Sequence, residues 1–169
     1  MGANLKRNDG SKWSGSNSIS QYDVLCPYCA INLFLCLPKK FNLDHISLEV
    51  VLDLVKNRNI DLKSTHERLC FPVIKRLYTK MKIGIKFSAI KVDGDLIIDG
   101  HHRYLASLLA EVCLEKHPSN RTSATKVSEW DIVEFDEDDW DTEAKILFLN
   151  EKDAIYNGIT LEKLHELLK

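Results

Sequence analysis

Ile46, Val50, Val51, Leu54 and Val55 recur at intervals of three and four residues, the spacing that lines up one face of a helix, and predict an amphipathic helix over about residues 46–57. A second helix is predicted after Pro72, a first-turn proline whose missing N–H costs nothing there. Its apolar face is Val73, Ile74, Leu77, Tyr78 and Met81, and Gly84 stands just past its end as a C-cap. Beyond Gly84 the period changes. Ile85–Val92 reads as a strand, Asp93-Gly94 as a two-residue hairpin turn, and Leu96-Ile97-Ile98 as a short buried strand that Asp99-Gly100 closes. Tyr104, Leu105, Leu108, Leu109 and Val112 return to helical spacing, predicting a helix to about Lys116. A polar loop over 117–125, a strand over Lys126–Phe135, and two helices over about 142–152 and 161–168 complete the pattern, Thr160 being the N-cap of the last.

Helices and short strands alternate without an internal repeat. The expected fold is therefore one α/β (α+β) domain over residues 21–169, a small mixed β-sheet with surrounding helices. Residues 1–20 are rich in Ser, Asn and Gly and read as a disordered N-terminal arm or a junction to something upstream. From Tyr22 to Leu37 the chain turns apolar, but Pro27 interrupts it and periodicity does not separate helix from strand.

That stretch holds Cys26-Pro27-Tyr28-Cys29, a spacing shared by redox-active dithiols and by half of a zinc site. The first use needs a βαβ setting, the second two further ligands. Cys36, His45 and Cys70 could supply those only by an accident of folding, so ordinary reduced thiols and no metal site are the expectation.

A chain of 169 residues with 44% hydrophobic and 28% charged residues is too apolar for whole-chain disorder and long enough for a sizeable core. With 23 basic against 25 acidic residues the net charge is −2, which leaves tight non-specific nucleic-acid binding without an electrostatic basis. No apolar run approaches the ~20 residues of a membrane span. The N-terminus lacks the apolar core of a signal peptide, and Lys6 stands where a myristoylation signal needs Ser or Thr. With five cysteines, an odd number, a cytoplasmic protein with reduced thiols is expected.

The segment richest in chemistry is Ile97-Ile98-Asp99-Gly100-His101-His102-Arg103-Tyr104. It places a glycine between a buried strand and a helix, where unpaired N–H groups and the helix dipole suit an anion. Gly100 would admit a ligand close to the backbone. Arg103 could grip phosphate with two prongs, and His101 and His102 would add positive charge. Asp99 could order the turn, cap the helix or hold Mg²⁺ beside the phosphates. Three cations in the first turn oppose the dipole, an arrangement that makes sense if an anion joins them. The alternative is a shaped turn with a solvated first helical turn.

Together with Lys82–Val92 before it, the run Leu96–Ala106 resembles the core of the ParB/sulfiredoxin superfamily. The resemblance extends loosely over about 41–135. It implies a turn, Gly100 to Arg103, that binds nucleotide phosphates. His101 stands where sulfiredoxins carry their catalytic cysteine, which argues against that repair chemistry. Only about 34 residues follow Phe135, too few for the DNA-binding domain of chromosome-partitioning members. The Asp-Gly-His-His-Arg form is most similar to the free-serine-kinase-like branch and to stand-alone ParB-like domains.

The function implied is ATP- or other NTP-dependent phosphoryl transfer to a small-molecule substrate, or NTP hydrolysis, with Mg²⁺. In the kinase branch an early glutamate is the base. Asp44 and Glu49 lie in the comparable region, Glu49 being the better candidate, with His101 and His102 as further catalytic candidates. A ParB-like nuclease or toxin domain, with His101 or His102 as general base, and a non-catalytic interaction module are the alternatives.

The remaining features read more plainly. His45, His66, His117 and His165 have no ligand spacing and are expected on the surface or in satisfied core positions. Eight of the thirteen residues from Asp131 to Glu143 are acidic, a run expected to be a solvated loop, with metal recruitment or nucleic-acid mimicry as alternatives. Trp130 and Trp140 flank it as expected anchors to the core.

Overall fold

The computed structural model describes residues 46–57 and 60–169. The N-terminal arm, the Cys26–Cys29 pair, Cys36, Asp44 and His45 lie outside the described residues.

The amphipathic face at the start gives α1 (Leu48–Asn57), whose Val51, Leu54 and Val55 are buried. A short unforeseen strand, β1 (Arg68–Cys70), leads directly into α2 (Phe71–Lys82), with proline in the first turn as expected. Helix α2 ends where Gly84 (φ +88°) lets the chain reverse. The Gly84 N–H bonds Met81 O (3.0 Å) and the Ile85 N–H bonds Lys80 O (3.0 Å).

The next segment departs from expectation. Residues 85–89 form no ladder, and the strand is confined to β2 (Ile90–Asp93). Its hairpin partner is β3 (Leu96–Asp99), with Asp93 opposite Leu96. The turn is therefore Gly94-Asp95, one residue later than predicted, because Gly94 supplies the positive φ (+60°) at the first central position.

Helix α3 (His101–Ala110) follows and stops six residues short of the expected Lys116. Glu111 takes a left-handed conformation (φ +58°), and the N–H groups of Glu111 and Val112 close on Leu108 O and Ser107 O. The chain thus turns back in time for β4 (Lys116–Pro118) to pair in parallel with the open edge of β2. The sheet order is β3-β2-β4, a mixed three-stranded sheet.

The expected strand over Lys126–Phe135 is mostly irregular. A 3₁₀ turn (Trp130–Ile132) buries Trp130, and the indole N–H reaches Leu62 O at 2.6 Å. Satisfying that buried donor outweighs extended pairing. Only β5 (Glu134–Asp136) forms a ladder, in parallel with β1. Single bridges at Lys63–Leu96 and Ser64–Ser128 link Lys63 to the hairpin on one side and Ser64 to the irregular segment at Ser128 on the other. The class is the small mixed α/β fold expected from the pattern, its strands divided between two small sheets.

The main core joins Val51, Leu54 and Val55 of α1, Leu69, Ile74 and Met81, Ile90 and Ile97 of the hairpin, Leu105 of α3, and Trp130. Helices α2 and α3 pack most extensively against each other. Helices α4 (Glu143–Tyr156) and α5 (Leu161–Leu167) begin behind Thr142 and Thr160, whose hydroxyls accept from the N–H groups of Lys145 and Lys163. A second cluster of Ile85, Ala154 and Leu164 joins this pair to the segment after α2. Asn157 reinforces it, accepting from the Lys86 N–H (2.7 Å) and donating to Lys86 O (3.0 Å). No helix among the described residues is long and apolar enough to cross a membrane.

Gly100 (φ +98°) is required by packing. A Cβ there would stand 2.6 Å from Ile90 Cγ2. Gly100→Ala is expected to cost about 2–4 kcal/mol, combining backbone strain with a clash in the core. Gly94→Ala, whose Cβ meets nothing within 4 Å, should cost about 1 kcal/mol. Urea unfolding of both variants checks this; equal losses would show that Ile90 simply moves aside.

Candidate functional site

The junction of β3 and α3 opens into a cleft of about 550 Å³ between the first turn of α3, α2, and the facing side of α4. That volume falls within the ordinary range for small-ligand sites. Of the residues singled out in the sequence, Asp99, Gly100, His101, His102 and Arg103 all line it. Glu49 does not. It is exposed in the first turn of α1, so the structure does not bring the expected base to the Gly100–Arg103 turn.

The two imidazoles perform a different task from the one their spacing suggested. His101 is only 2% exposed, and its Nε2 accepts the Thr65 N–H at 3.1 Å. The Thr65 hydroxyl, 3.1 Å from the same nitrogen, donates to Ile97 O at 2.6 Å. The exposed His66 ring stacks on His101 with centroids 4.0 Å apart. Burial, then the neighbouring His66 and His102, push the His101 pKa down to about 3. His102 Nε2 accepts the Cys70 N–H at 2.9 Å, and burial first, then His66, lower its pKa to about 4. Both rings are neutral at neutral pH. The argument from three cations in the first turn is thereby corrected: only Arg103 carries charge there, and the histidines fasten α3 to the segment running from Thr65 to Cys70.

Arg103 reaches back to the segment just before β2. Its Nη1 donates to Ser88 O (2.7 Å), Ser88 Oγ (2.7 Å) and Ala89 O (3.0 Å), and its Nη2 to Asp99 Oδ2 (3.1 Å). Among the described residues Nη2 bonds Asp99 alone, which leaves one of its two hydrogens for a ligand. Asp99 pairs with Arg103 instead of capping the helix. Among the described residues no side chain caps α3, so its first N–H groups lack a side-chain acceptor there. Gly100 makes this geometry possible through its positive φ and its contact with Ile90, a reason apart from the ligand approach first inferred.

Several lining residues carried no signal in the sequence, because their roles depend on α4 closing over α2. Arg76 of α2 pairs with Asp139 and Asp141, the latter at 2.5 Å, and Lys145 of α4 also reaches Asp141 (3.1 Å). The buried Lys80 meets Asp153 of α4 at 2.5 Å. The acidic run is thus not simply a solvated loop. Asp139 and Asp141 hold Arg76, while Asp136 holds Arg68 at 2.6 Å. No group of three potential metal ligands occurs among the described residues. Trp140, expected as a core anchor, is 48% exposed at the cleft wall, its ring nearly perpendicular to that of His102 with centroids 5.6 Å apart. Cys70 is buried and Cys113 exposed.

No family model matches the chain, and neither a curated protein nor a solved structure matches it.

The buried histidines set an acid limit. Their folded pKa values lie below the ordinary 6.5, so between 6.5 and about 4 the unfolded chain takes up protons that the folded one does not. Their contribution is complete above 6.5 and is lost as pH falls toward the folded values. Unfolding free energy should drop between about pH 7.5 and about pH 5 by on the order of 1–2 kcal/mol for each imidazole. His101→Gln, which keeps an acceptor for the Thr65 N–H, should flatten that dependence. An unchanged pH slope in this variant would show that His101 is not the group that titrates.

Proposed function

We propose that this cleft binds the phosphate groups of a nucleotide at the start of α3. The observation that carries this reading is the uncapped N-terminus of α3 opening into a cleft beside Arg103. Free backbone N–H groups and the positive end of the helix dipole suit an anion, and the neutral histidines leave both available. Among the described residues four cationic side chains line the cleft, Arg76, Lys80, Arg103 and Lys145, each already paired with a carboxylate of Asp99, Asp139, Asp141 or Asp153. The resemblance of the Asp99–Arg103 turn to the ParB/sulfiredoxin superfamily points to the same ligand.

ATP-dependent phosphoryl transfer or NTP hydrolysis is the proposed chemistry, because such reactions rest on positioning and charge neutralisation more than on a strong base. Asp99, exposed at the cleft, fits a Mg²⁺ held by one carboxylate and the substrate phosphates, the usual manner for this ion. Bound there, Mg²⁺ would neutralise charge on the phosphates. Arg103 would orient them through its free Nη2 hydrogen, and the α3 N–H groups would donate hydrogen bonds to their oxygens.

One observation favours a second reading, a module that binds nucleotide without turning it over. His101 and His102 accept backbone N–H groups and are too weakly basic for proton abstraction, and Glu49 is elsewhere. The same fact weighs against His101 or His102 as the general base of a nuclease reading.

Calorimetry with Mg²⁺-ATP and Mg²⁺-CTP tests the binding. Arg103→Ala should weaken it at least tenfold, the value of a charged hydrogen bond, and should also lower stability, since Arg103 ties α3 to Ser88 and Ala89. Arg103→Lys should restore part of both. A folded Arg103→Ala protein that binds the nucleotide with unchanged affinity would sink the phosphate assignment. Turnover of the bound nucleotide separates the catalytic reading from the second one.

A further inference from the structure

We propose that Trp140 is the platform on which the base of the bound nucleotide stacks, so that the cleft selects a nucleotide over phosphate alone; this rests on the phosphate reading above. The two tryptophans beside the acidic run make the contrast. Trp130 is buried at 7% exposure with its N–H satisfied by the main chain, as a structural tryptophan should be. Trp140 remains 48% exposed, although a buried indole would contribute far more to stability.

The Trp140 ring is nonetheless held. Its N–H donates to Asp136 Oδ2 at 2.9 Å, and Asp136 is itself fixed by Arg68 at 2.6 Å. The ring meets His102 at an interplanar angle of 82°, and His102 is fixed in turn by the Cys70 N–H. One edge of the indole is therefore tied down while the residue lines the cleft. An aromatic ring held in place and left uncovered has already lost the freedom that binding would otherwise remove.

Position supplies the rest. His102 is the second residue of α3, so the Trp140 ring stands one side chain away from the N–H groups proposed to receive phosphate. Ile146 and Leu149 of α4 line the same cleft and extend the apolar wall, and Asn150 there offers a donor and an acceptor for the edge of a base. A ligand with an anionic end and a flat, weakly polar end matches this division. Inorganic phosphate would leave the aromatic wall uncovered.

The experiment compares Mg²⁺-ATP with Mg²⁺-tripolyphosphate on the full chain by calorimetry, for the wild type, Trp140→Ala and Trp140→Phe. Stacking on an aromatic side chain predicts that Trp140→Ala weakens ATP about tenfold more than it weakens tripolyphosphate, and that Trp140→Phe recovers most of the loss. Equal losses for the two ligands, or none for ATP, would overturn the stacking role while the phosphate site stands, provided tripolyphosphate binding still depends on Arg103. Failure of the wild type to bind either ligand would overturn the phosphate reading and the stacking role with it.

Discussion

Two neutral imidazoles at the start of α3 hold this structure in register. His101 and His102 accept the N–H groups of Thr65 and Cys70, and so fasten one helical turn to a segment that has few ladder bonds of its own. That segment is tied at nearly every residue. Leu62 is held between the Tyr104 hydroxyl and the Trp130 indole, Lys63 bonds the hairpin turn, Ser64 bridges Ser128, and Glu67 accepts from Glu134. If the imidazoles were charged, they could not accept these bonds, and burial would have to offset two positive charges beside Arg103 and the helix dipole. Neutrality is thus a condition of the fold, and it also leaves the dipole of α3 free to act on a ligand.

The cleft depends on a second set of contacts. Helix α4 is drawn over α2 by Arg76 with Asp139 and Asp141, and by Lys80 with Asp153. Pairs sheltered from water in this way resist separation, because breaking one strands a charge in a poorly solvated place. They also mean that the cationic side chains of the cleft begin in balance with carboxylates. An anionic ligand gains most from the backbone N–H groups of α3 and from the remaining Arg103 hydrogen, which it need not win from a carboxylate. Asp99, which shares Arg103, would oppose an anion unless a cation accompanied it, and this is the physical ground for the proposal that Mg²⁺ accompanies the phosphates.

Local chemistry was legible from the sequence wherever it decided the outcome alone. The apolar spacing in 46–57 and 73–81 gave helices in the expected places, Thr160 capped the last helix, and Gly84 ended α2, because each depends on residues only a few positions apart. The strand-to-helix junction at Asp99-Gly100 was likewise visible in eight consecutive residues.

Tertiary structure decided what required a partner far along the chain. Lys116–Pro118 carries no strand propensity and became β4 because the edge of β2 was open to it. Trp130 broke its predicted strand to reach Leu62 O, 68 residues away. The charge state of His101 and His102 followed from the backbone N–H groups they accept and from burial, neither of which is written in their spacing. Glu49 met the requirements of residue type and dipole position yet lies outside the cleft, while Arg76, Trp140 and Lys145 entered it only because α4 folds across α2. Sequence therefore determined the helices, their caps and the turn at Gly100, whose causes are local. The fold determined which of those side chains are charged, which are already bonded, and which are left facing the cleft, because burial and long-range pairing set all three.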